Sequence, residues 1–163
     1  MNKVLISLFL LLFCGECYAY NFEGTEKVPI KLTIDKEILS EKDVYEGQSV
    51  NFKVAKTVYY QDKIVANRGD IVPAKVKIVI SSGMNGIPAS IIFGDFRIQG
   101  VSSNQLSETY EVFGQDRSLW VFPLKWALTP LPPTGSLTNF IKGGHVKVKT
   151  NKIITIDYHP EWE

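Results

Sequence analysis

Residues 28–34, Val-Pro-Ile-Lys-Leu-Thr-Ile, alternate apolar with polar or proline positions, the period of two expected of a strand with one buried face. Runs rich in β-branched and aromatic residues follow at 50–60, 71–80, 91–98, 119–124, 145–149 and 153–158. Turn formers separate them: Glu46-Gly47, Asn67-Arg68-Gly69-Asp70, Ser81-Ser82-Gly83 with Asn85-Gly86, and Gly143-Gly144. The pattern predicts an all-β chain, folded as a single small barrel-like or sandwich domain. One short helix is expected near residues 136–142. There Ser136 can cap the free amides, Leu137, Phe140 and Ile141 share a helical face, and Gly143 can end the turn.

The first residues follow a different pattern. Lys3 precedes an apolar run over residues 4–13 broken only by Ser7, and Cys17-Tyr18-Ala19 places small residues at the −3 and −1 positions of a cleavage site. A ten-residue run is too short to cross roughly 30 Å of hydrocarbon as a helix. Residues 1–19 therefore read as a cleaved signal peptide and 20–163 as one exported all-β domain, periplasmic or secreted. Neither cysteine follows a small residue, since Cys14 follows Phe13 and Cys17 follows Glu16, which argues against a lipid anchor. Cleavage removes both cysteines, so disulfides and thiol catalysis are not expected. No later stretch has membrane-spanning length.

Composition narrows the functional classes. With 163 residues, 45% hydrophobic and 21% charged, the chain belongs with ordinary globular domains. A net charge of +1 provides no overall basic excess for a phosphate backbone, so nucleic acid is not an expected partner. No nucleophile elbow, phosphate-binding glycine loop or zinc-protease helix is present. Carboxylates for glycoside hydrolysis would have to come from scattered positions such as Asp35, Glu37, Glu41, Asp43, Asp95 and Asp116. The expectation is a protein without catalytic activity, cofactor or metal.

A short pattern recurs three times: Gly47, Val50, Phe52, Lys53; Gly69, Val72, Ala74, Lys75; and Gly143, Val146, Val148, Lys149. Glycine permits the turn, the residues three and five later face the core, and the lysine six later faces solvent. Lys53, Lys75 and Lys149 then either solvate the sheet and discourage edge pairing or form a basic binding face.

The run Gly47-Gln48-Ser49-Val50, with Val54, Val58-Tyr59-Tyr60 and residues 64–72, Ile-Val-Ala-Asn-Arg-Gly-Asp-Ile-Val, resembles a periplasmic β-barrel module in the channel-forming protein of type IV secretion and conjugation machines. It is also similar to small secreted bacterial proteins built on the same motif. The likeness covers about residues 40–77. In that family a glycine-led strand leads into a Val-Tyr segment, and a hairpin brings in a second glycine-led strand. The resemblance implies a periplasmic, barrel-like, non-catalytic module.

Other motifs have plain structural readings. Arg68-Gly69-Asp70 has the form of an adhesion tripeptide, yet a turn explains each residue. Residues 131–135, Leu-Pro-Pro-Thr-Gly, have the form of a sortase signal but read as a rigid connection. His145 is expected on the outer face beside Lys147 and Lys149, a poor place for a cation. His159 alternates with Asp157 and Glu161 but offers no closed metal site.

The aromatic run Trp120-Val121-Phe122-Pro123-Leu124-Lys125-Trp126 is the strongest contact candidate. As a strand it would put Trp120, Phe122, Leu124 and Trp126 on one face, with Pro123 marking an edge. The sequence reading is thus an exported envelope domain acting through contacts with an envelope protein partner or as a structural accessory, without enzymatic activity. A glycan or small-ligand module using the same aromatic strip is the alternative.

Overall fold

The computed structural model describes residues 26–130 and 134–161. Eight strands form: β1 (Val28–Ile34), β2 (Ser49–Val54), β3 (Val58–Tyr60), β4 (Lys63–Ala66), β5 (Ile71–Ile80), β6 (Ser90–Gly94), β7 (Thr109–Phe113) and β8 (Ile153–Tyr158). Among the described residues one α-helix, α1, spans Ser118–Leu128, and a 3-10 segment spans Thr134–Phe140. Six strands make one antiparallel sheet in the order β7-β6-β5-β2-β1-β8, while β3 and β4 form a separate hairpin.

The six-stranded sheet curls into a nearly closed barrel. Its two outer strands meet through the lead-in to β7, where Leu106 bridges Tyr158. The Ser107 amide donates to the Asp157 carbonyl at 2.9 Å, and the His159 amide donates to the Gln105 carbonyl at 2.7 Å. The Ser107 hydroxyl accepts from the Asp157 amide at 2.8 Å. Closure satisfies edge groups that an open sheet would expose. The fold is therefore all-β and barrel-like, a distinction from a sandwich that periodicity alone left open.

Alternation fills the barrel as expected. Ile30, Leu32 and Ile34 of β1 point inward, as do Phe52 and Val54 of β2 and Val72, Ala74 and Val76 of β5. At the centre the rings of Phe52 and Phe93 meet edge to face at 5.3 Å, a favoured aromatic geometry. Both strand prolines lie where only one neighbouring strand pairs. Pro29 is opposite Asp157 of β8, and Pro73 is opposite Asn51 of β2, and on the other side of each no strand needs the N–H that proline lacks.

Several expectations change. The run at 50–60 is two strands, interrupted by a bend at Ala55 and Lys56, and Gln61 and Asp62, both at positive φ, then turn β3 tightly into β4. The run at 91–98 pairs only to Gly94, where Asp95 at φ 52° ends it. Residues 145–149 contribute only a bridge between Val148 and Ile38, although Val146 and Val148 are buried as the alternation requires. β7, which no expected strand covered, pairs with β6 throughout its length. The short helix expected near 136–142 forms as a 3-10 helix over Thr134–Phe140, with Thr138 buried. At three residues per turn Leu137 and Phe140 share one ridge, which faces outward.

The largest correction concerns residues 119–124. They lie within α1, not in a strand, so Trp120, Phe122 and Trp126 do not share an extended face. The run is apolar at nearly every position. Alternation of large and small apolar residues is not alternation of polarity, and it sets no period. The expected signal peptide, residues 131–133 of the Pro-rich connection and Trp162 lie outside the described residues.

Candidate functional site

Local chemistry starts and stops α1. The Asp116 carboxylate accepts from the Ser118 amide at 2.8 Å and from the Ser118 hydroxyl at 2.6 Å, occupying an otherwise open donor of the first turn. These bonds, the hydroxyl first, hold the Asp116 carboxyl below the usual range. At the other end the Thr129 amide and hydroxyl both donate to the Lys125 carbonyl, and Pro130 follows. Pro123 sits inside the helix, where it lacks the amide that would bond the Leu119 carbonyl.

Only Val121 of α1 is buried. Helical spacing of 100° per residue puts Val121, Lys125 and Leu128 on the inner side. The outer arc, roughly 200° wide by the same spacing, carries Phe122, Trp126, Leu119, Pro123, Ala127, Trp120 and Leu124. Every one of those side chains is apolar and exposed. Leu119 is 81% exposed, Trp126 75% and Trp120 52%. Leu137 and the 81%-exposed Phe140, on the 3-10 segment packed against α1, extend the apolar surface. A helix apolar around its circumference belongs in a core or in lipid, and fully burying one such side chain is worth about 1.5–3 kcal/mol. Among the described residues this exposed apolar surface is the strongest candidate for a contact site.

Backbone contacts hold α1 against the barrel. The Arg117 amide donates to the Gly86 carbonyl at 3.0 Å, the Gly86 amide to the Ile141 carbonyl at 2.8 Å, and the Gly143 amide to the Gly83 carbonyl at 3.2 Å. Gly143 does not take a positive φ. It is glycine because a Cβ there would collide with the Ile87 carbonyl. Gly47 and Gly69, by contrast, do turn at φ 83° and 91°.

Where the start of α1 meets the end of the 3-10 segment, a shallow cavity of about 500 Å³ is lined by Arg117, Lys142, His145 and Lys147 with exposed Phe113 at its edge. Glu41 lies beneath it and is 1% exposed. Its carboxylate accepts from His145 Nδ1 at 2.8 Å and from the Val146 amide at 3.3 Å. Burial opposes ionisation of Glu41. The hydrogen bonds from His145, its own amide and the Val146 amide outweigh that cost, so the carboxyl titrates below its ordinary value.

The larger cavity, about 640 Å³, is bordered by Asp35, Glu37 and Asp43. Each is already engaged. Asp35 pairs with Lys53 at 2.5 Å, Glu37 accepts from the Thr150 amide and hydroxyl, and Asp43 accepts from the Leu39 and Ser40 amides. Asp95 pairs with Lys77 at 2.7 Å, and that bond holds its carboxyl low. These carboxylates secure turns and strands.

The three lysines of the repeated motif do not converge. Lys53 and Lys75 lie opposite Ile71 and Ser49 on the β2–β5 ladder, four positions and so about 13 Å apart along it. Lys149 lies in the turn before β8, a strand that β1 separates from β2. Trp120 and Trp126, six residues apart on a helix, point about 120° from each other, so they do not form the one-faced strip expected of a strand. The Asp70 carboxylate accepts from the Asn67 amide at 2.8 Å within its turn. His159 is buried, and among the described residues no group of three or more His, Cys, Asp or Glu could hold a metal ion. Nor is any described helix long and apolar enough to cross a membrane.

Sequence reasoning marked Trp120, Phe122 and Trp126 but missed Leu119, Leu137, Phe140 and the Glu41–His145 pair. For Leu119 a signal was present: residues 119–128 are too uniformly apolar for a half-buried strand. The pair spans 104 residues and leaves no local trace. Comparison with known proteins returns no match, whether to family models, curated proteins or solved structures.

Proposed function

We propose that this chain is an exported, non-catalytic accessory domain of the bacterial envelope, and that it works by docking through α1 and the adjoining 3-10 segment. The observation that carries this reading is the 200° apolar arc of α1, held outward on a barrel whose own core is full. The leader pattern of residues 1–19 and the resemblance of residues 40–77 to a periplasmic module support the envelope location. The engagement of the cavity carboxylates in structural bonds supports contact over chemistry as the mode of action.

The test is fractionation of bacteria producing the chain or its Trp120→Ala/Trp126→Ala double variant. Both side chains are exposed, so the variant keeps its fold, which circular dichroism checks. The wild type is expected with the envelope membranes and the variant in the soluble fraction. Identical partition of the two overturns the reading.

A further inference from the structure

Building on this docking reading, we propose that the occupant of the α1 surface is the interfacial region of an anionic lipid bilayer. Geometry is the first argument. Eleven residues make a helix about 16 Å long, too short to span the roughly 30 Å hydrocarbon core but suited to lying in its boundary layer. A helix docking into a protein groove needs one apolar stripe. α1 instead exposes apolar side chains over more than half its circumference, which a fluid solvent of lipid covers without a shaped groove. Exposed indoles at Trp120 and Trp126 are the side chains that settle at headgroup depth.

Charge is the second argument. From Arg117 to Ile156 the chain has six basic residues and no acidic one, although its total is only +1. Arg117, Lys142 and Lys147 converge with His145 in the cavity at the start of α1, beside the exposed Phe113, and Phe140 lies two residues before Lys142. The carboxylates that approach this region are engaged: Glu41 with His145 and Asp116 with Ser118. Apolar insertion beside an uncompensated basic patch is the complement of an anionic membrane surface.

The experiment uses the chain purified from the bacterial envelope and carrying Trp162→Phe, so that Trp120 and Trp126 are the remaining indoles. It is mixed with vesicles of phosphatidylglycerol and phosphatidylcholine in equal parts, or of phosphatidylcholine alone. Co-sedimentation and a blue shift of tryptophan emission are expected with the anionic vesicles. Affinity should fall roughly a hundredfold in Arg117→Gln/Lys142→Gln/Lys147→Gln, and Phe122→Ala/Leu124→Ala should abolish the shift. No binding, or equal binding to neutral and anionic vesicles, overturns the inference. If vesicles are ignored while Trp120→Ala/Trp126→Ala still releases the chain from the cell envelope, docking stands and the occupant is a protein or a second copy. If neither occurs, both readings fall.

Discussion

His145 Nδ1 donates to Glu41 Oε1 at 2.8 Å and joins segments 104 residues apart. The contact ties the short turn after β1 to the extended segment that follows α1 and the 3-10 turn. It thereby fixes the basic cavity, and the base of the docking surface, to the barrel. Ser40 begins that turn with reciprocal bonds to Asp43, which places Glu41 under His145.

Glu41→Gln should lower stability by about 1–3 kcal/mol at neutral pH, the usual cost of losing hydrogen bonds to a charged group. Because the folded carboxyl titrates below its ordinary value of 4.5, unfolding takes up a proton in acid. The stabilisation is whole above that value and fades as pH falls through the lower folded one. Urea midpoints measured from pH 7 to pH 3 should therefore converge for wild type and variant. Parallel profiles would rule out this role for Glu41.

Gly86 and Gly69 both have positive φ but differ in surroundings. A Cβ on Gly86 would lie 2.6 Å from the Arg117 carbonyl carbon at the start of α1, whereas one on Gly69 would meet nothing within 4 Å. Gly69→Ala should cost about 1–2 kcal/mol from backbone strain alone. Gly86→Ala adds overpacking and should cost roughly 2–5 kcal/mol. Thermal denaturation of the two variants checks the order.

The barrel strands were legible because one face is buried and one is wet, so β1, β2, β5 and β8 show their period in residues such as Ile30/Lys31/Leu32 and Val72/Pro73/Ala74. Closure was not legible, since the Leu106–Tyr158 bridge depends on where two distant segments meet. α1 was misread for a physical reason. Its sequence lacks the polar positions from which either period is recognised, and the Asp116–Ser118 cap that starts it looks like an ordinary loop. The aromatic residues stand out in the sequence, but their geometry follows from the helix.

The seam of the barrel rests on Ser107, whose hydroxyl accepts from the Asp157 amide and donates to its carbonyl. Ser107→Ala should cost about 1 kcal/mol and speed amide exchange at Asp157 more than at Ile154 in the middle of β8. Unchanged exchange at Asp157 would mean that the hydroxyl does not hold the seam.

Pro123 weakens α1 from within. Pro123→Ala restores a donor for the Leu119 carbonyl and should strengthen the helix by up to about 3 kcal/mol. Slower amide exchange over residues 119–127 is the expected readout, and unchanged exchange would show that other contacts limit the helix.

The central claim is that α1 forms the working surface, and hydrogen–deuterium exchange of the chain, free and bound to isolated envelope membranes, tests it most directly. Amides over residues 118–128 and 137–141 should become protected on binding, while those of the β3–β4 hairpin stay as they were. Binding that leaves α1 unprotected and slows exchange elsewhere would contradict the account.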